Sequence, residues 1–150
     1  MIRKSVLEET GLNFDPNVTA SEEYCLFMQL ASKYPFGVSK KIMAQYRVHN
    51  ESLTSKSLAM CSKERRYTLN LILQNNPKLI IKYKNAFKEA FARADYYDAR
   101  WLMSKNNNYQ AFKMLIFNSF IDIKYLFLAF LVLIPFNFWD KIHLLKRNRV

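Results

Sequence analysis

The stretch LAMCSKERRYTLNLILQ, residues 58–74, repeats its apolar side chains at spacings of three and four and is then cut by NNPK. That pattern predicts a helix with one apolar face and a turn-forming stop. The same spacing returns over residues 79–103 and 109–118, with KNNN between them. Connectors this short join neighbouring antiparallel helices, so the chain from Lys56 onward reads as a helical bundle or tail. Tyr96, Tyr97 and Trp101 fall inside it and read as packing between helices.

The end of this region is different. KYLFLAFLVLIPFNFWDK, residues 124–141, holds no charge between Lys124 and Asp140, a run of fifteen residues. A membrane-crossing helix needs roughly twenty, and Pro135 interrupts the run, so no span is predicted. Two readings stay open. The segment is a core helix of the bundle, or it lies in the head-group layer of a membrane, with Tyr125, Trp139, Lys141, Lys146, Arg147 and Arg149 as its aromatic and cationic boundary.

Charge sharpens the contrast between front and back. The chain has 150 residues and a formal net charge of +11. Residues 1–55 carry six basic and six acidic side chains, whereas residues 56–150 carry seventeen and six. Such an excess attracts phosphate on nucleic acid or anionic lipid, and it also arises from a plain solvated Lys-rich face. Hydrophobic residues make up 51%, with twelve Phe and nine Tyr, which excludes a disordered chain. The two cysteines, Cys25 and Cys61, build no disulfide framework and read as buried small hydrophobes in a reducing, cytoplasmic setting.

The front third mixes signals. Residues 1–3 read as a short strand running into a helix capped by Ser5, with Glu8 three residues on, and stopped by Gly11. Asp15, Pro16 and Asn17 form a turn. Ser21 then caps a helix carrying Leu26, Phe27, Leu30 and Ala31, ended by Pro35 and Gly37. Residues 38–49 read as one or two short strands.

Several chemistries are excluded within these residues. Gly11 and Gly37 are the only glycines, so no glycine-rich phosphate loop exists. His49 and His143 stand far apart without Cys or His neighbours, so no structural zinc site is expected. The acidic pair Glu22–Glu23 at a helix start remains. First-turn carboxylates commonly serve the helix dipole, and a carboxylate in that place also serves as a general base toward a sugar hydroxyl.

The order IRKSVLEETG, NFD, SEEYCLFMQLA and YRVHNESLT, over the first third of the chain, resembles the C-terminal half of the catalytic domain of family 2 glycosyltransferases, GT-A type, of bacterial surface-polysaccharide synthesis. The resemblance implies an α/β remnant of a GT-A fold over residues 1–55 and a basic helical tail over 56–150, predominantly helical overall. It implies Glu23 as catalytic base, with Glu22 beside it, Arg47 toward phosphate charge and His49 toward the divalent metal, Mn or Mg, or the diphosphate. A nucleotide-sugar would be donor and a glycan or lipid-linked carrier acceptor, at the inner face of the cell membrane. Three departures stand out. Glu23 replaces the usual Asp, Gln29 replaces a common Arg, and no Asp-x-Asp occurs in these residues, so the nucleotide-binding half is expected before Met1 and the chain alone is expected to be inactive. The alternative class is a small basic helical protein that binds nucleic acid or a protein partner, although its cations are dispersed and no nucleic-acid motif is present.

Overall fold

The structure, a computed structural model, describes residues 2–45, 57–135 and 138. Among these the chain is predominantly helical, with seven helices and no strand. It divides into two compact units, Met1–Lys84 and Asn85–Val150.

In the first unit, α1 (Lys4–Thr10) has Arg3 at its N-cap position, two residues before the expected Ser5 cap. It ends where the sequence places its stop. Gly11 takes the left-handed conformation, φ 64°, and its N–H donates to the Leu7 carbonyl at 2.9 Å. A Cβ there meets nothing within 4 Å, so the glycine is required by backbone conformation alone. Gly11→Ala is expected to cost about 1 kcal/mol, read as a lower urea midpoint with an unchanged slope.

Helix α2 (Glu22–Ala31) buries Cys25, Leu26 and Leu30 and packs against α3 (Leu58–Asn75), which buries Leu58, Cys61, Leu69 and Ile72. The bounds of α3 match the periodicity of residues 58–74. Asn76 and Pro77 then turn the chain into the short α4 (Lys78–Lys82). The division at Lys84 groups α3 with the front helices, whereas the change of composition falls at residue 56.

The strands expected in the front third are absent where the structure describes them. Residues 2–3 and 38–45 form no ladder. A strand satisfies its backbone groups through a neighbour, and at 38–45 the side chains Val38, Ile42 and Met43 point into solvent. Residues 46–49 of that expectation lie outside the described residues.

The second unit contains α5 (Lys84–Ser104) from its second residue onward, α6 (Asn108–Asn118) and α7 (Lys124–Leu131). The single helix expected over 79–103 is two, broken at Tyr83, whose φ of −121° and ψ of 36° are not helical. The core is built from small residues that allow close helix approach: Ala92 and Ala99 of α5, Ala111 of α6 and Ala129 of α7, with Met103 and Leu115 filling between them. Asn106 turns α5 into α6 with φ 60°, and the Asn107 side chain accepts the Gln110 N–H. Buried Asn118 donates to Asp95 at 2.9 Å, tying α6 to α5. No helix among the described residues is long and apolar enough to cross a membrane.

Candidate active site

The loop between α1 and α2 is fixed by α3. Asp15 forms the expected turn, accepting the Asn17 N–H at 2.9 Å, while the Tyr67 hydroxyl of α3 donates to its other oxygen at 2.8 Å. The Asn17 N–H, and to a smaller degree Tyr67, hold the Asp15 carboxyl below the usual aspartate range.

Three residues before Tyr67, Glu64 enters the same loop. It is a buried carboxylate, 4% exposed, and every partner it has on this loop is a donor. It accepts from the Thr19 N–H at 2.7 Å, the Ala20 N–H at 3.1 Å, the Thr19 hydroxyl at 3.2 Å and the Ser21 hydroxyl at 2.7 Å. Burial pushes the Glu64 pKa up, but the combined donors outweigh burial and leave it below the ordinary glutamate value. The Arg65 guanidinium lies over the Tyr24 ring, 4.3 Å from its centroid, adding a cation–π contact between α3 and α2.

This arrangement revises the role of Ser21. It occupies the N-cap position of α2, but its hydroxyl makes no cap bond to the helix and donates to Glu64 instead. Glu22 and Glu23 follow in the first turn. Glu22 is half-buried and Glu23 is exposed. Neither makes a hydrogen bond or ion pair with another described residue. The exposed one, Glu23, thus stands at a helix start whose entering loop is already anchored by a different acid, Glu64.

The remaining candidates distribute as follows. Arg47 and His49 lie outside the described residues. Among the described residues no cluster of three or more His, Cys, Asp or Glu side chains is placed to hold a metal. Cys25 and Cys61 are both buried, as their sequence context predicts, and burial pushes the Cys61 thiol up. A cleft of about 390 Å³ lies between α1 and the C-terminal end of α2, lined by Arg3, Val6, Leu30, Tyr34 and Phe36. Glu22 and Glu23 do not line it. They sit at the other end of α2, about 12 Å away at 1.5 Å per residue.

Glu64 is the residue that sequence reasoning missed. Its signal was present: it stands three residues after Cys61 and four before Thr68, on the stripe that α3 buries. Comparison of the chain with protein families, with curated proteins and with solved structures returned no match.

Proposed function

We propose that residues 1–55 form the acceptor side of a sugar-transfer centre of the family 2, GT-A type, with Glu23 as the base that takes the proton of the acceptor hydroxyl. The observation that carries this reading is the exposed, uncommitted carboxylate of Glu23 in the first turn of α2, beside a loop held rigid by Glu64. Catalytic carboxylates work best when the scaffold beneath them is fixed by other groups. The ordered motifs support the same reading: a helix closed at Gly11, a turn at Asp15, an acidic pair opening the next helix, and Tyr46-Arg47-Val48-His49 after it.

In this reading Arg47 would serve the charge of the leaving diphosphate, and His49 together with carboxylates would hold a Mn²⁺ or Mg²⁺ ion, which when bound would stabilise the negative charge of the leaving group. Those carboxylates would come from a nucleotide-binding α/β segment bearing Asp-x-Asp, supplied by polypeptide outside these residues. Glu22 supports the local negative field beside Glu23.

The test starts from the DNA upstream of the first codon and from co-expression of its product with this chain. The expected result is an encoded α/β segment with Asp-x-Asp. The pair together should then transfer radiolabelled sugar from a nucleotide-sugar to membrane lipid in the presence of Mn²⁺, while this chain alone transfers none. Upstream DNA without such a segment, combined with tight and steeply salt-dependent binding of duplex or single-stranded DNA, overturns the proposal in favour of a nucleic-acid-binding protein.

A further inference from the structure

Helix α7 is apolar around its whole circumference: KYLFLAFL contains one charged residue, at its start. A helix of that kind is stable where apolar surroundings meet it on every side. The second unit supplies one side only. Tyr125, Ala129 and Val132 are buried against α5 and α6. At 100° per residue the opposite side carries Phe127 and Phe130, with Leu133 in the following turn, and these are 66%, 57% and 70% exposed. The turn that enters the helix adds Phe120, 90% exposed, and Ile123. Isolated exposed apolar residues are ordinary, but five large ones concentrated on one helix and its entry are the kind of feature that marks an interaction surface.

The charge of the sequence that follows argues for the occupant. Lys124 at the start of the helix is paired with Asp122 at 2.6 Å and with Glu89 at 2.9 Å, so the positive excess comes from the sequence after it, where Lys141, Lys146, Arg147 and Arg149 stand against Asp140 as the sole acid. Residues 85–150 as a whole carry ten basic and five acidic side chains. A second copy would bring the same positive excess to the contact and be repelled. A bilayer containing anionic lipid offers both requirements at once, an apolar layer for the phenylalanines and negative head groups for the cations. The fifteen uncharged residues are too few to cross the bilayer, so on such a surface the helix would rest in the head-group layer rather than span it.

We infer that the exposed face of α7, centred on Phe127 and Phe130, is a docking surface for an anionic membrane. This stands on the exposed aromatics and the positive excess of the sequence after the helix, and does not depend on the sugar-transfer reading. The test uses the full chain with vesicles of phosphatidylcholine, with and without phosphatidylserine, scored by co-sedimentation. Binding is expected only to the anionic vesicles and is expected to weaken as salt is raised. The double variant Phe127→Ser/Phe130→Ser is expected to reduce partitioning about 100-fold, on the order of tenfold per aromatic withdrawn from the apolar layer. Phe130 also meets Phe112 of α6 edge-to-face, with ring centroids 6.3 Å apart, so the double variant is expected to unfold at a somewhat lower urea concentration, whereas Phe127→Ser alone is expected to leave the transition unchanged and still to reduce partitioning about tenfold.

Equal binding to neutral vesicles overturns the inference, as does anionic binding that the double variant leaves intact. Absence of vesicle binding, with concentration-dependent dimers that the variant abolishes, overturns it in favour of a second copy as occupant.

Discussion

Replacing Glu64 by alanine is expected to destabilise the first unit by about 3 kcal/mol, the largest stability effect of any single polar substitution in it. The carboxylate accepts two backbone N–H groups and two hydroxyls from Thr19, Ala20 and Ser21. A hydrogen bond to a charged group contributes about 1.5–3 kcal/mol, and a donor left unpaired in a buried place costs about 1–3 kcal/mol. These contributions overlap, so the total lies well below their sum. Glu64→Gln keeps one acceptor oxygen but turns an NH₂ toward donors, and is expected to lose nearly as much. Urea unfolding of the full chain, followed by circular dichroism, measures both. A midpoint unchanged in Glu64→Ala would mean that the loop before α2 is held by something other than this carboxylate.

The same group makes stability depend on pH in a defined direction. Its folded pKa is depressed, while an unfolded glutamate titrates near about 4.3. Above that value the group is ionised in both states and its full contribution is present. As pH falls below it, the unfolded chain takes up the proton first and the contribution is lost on passing through the folded pKa. Asp15, also depressed, acts with the same sign from about 3.9 downward. Glu64→Gln is therefore expected to flatten the loss of stability between pH 5 and pH 3 without abolishing it.

How much of this was legible in the sequence depends on the range of the interaction concerned. The helices α3 and α6 follow from apolar spacing because their buried stripes recur every three or four residues. Gly11 was legible because a left-handed helix end has a local cause, the absence of a Cβ. The break at Tyr83 was not, since neither glycine nor proline marks it. Ser21 was placed correctly at a helix start, but the local rule pairs its hydroxyl with the helix, whereas Glu64, 43 residues on, takes it. Residues 38–45 show the converse failure. Val38 and Ile42 are their only β-branched residues, the aromatic and β-branched end of the expected strand, Tyr46 and Val48, lies outside the described residues, and 38–45 are irregular and exposed. The apolar run after Lys124 was plain from the sequence. Which side of it would be covered became visible only through Ala129 and Val132, which turn Phe127 and Phe130 outward.

In the reconstituted pair, Glu23→Gln is expected to lower the turnover of sugar transfer about 10²- to 10⁴-fold, the range for loss of a general base. KM should move little, because the lost interaction belongs to proton transfer in the transition state. The fold should be indifferent to the change. Glu23 is exposed and bonded to no other described residue, so the substitution removes only a dipole interaction of about 0.3–1 kcal/mol. Glu22→Gln, one residue away and equally close to the helix start, is expected to lose less than about tenfold in turnover, since it only supports the local field. Glu23→Asp separates the two roles a carboxylate has here. A helix start accepts either acid equally, whereas a base must reach its proton, and a displacement of about 1 Å changes rates by about 10²-fold. Because the resembled family places Asp at this position, Glu23→Asp is expected to raise turnover while Glu23→Gln loses it. Equal rates for the unaltered chain and Glu23→Gln would confine the acidic pair to the helix dipole and leave the sugar-transfer reading without its base.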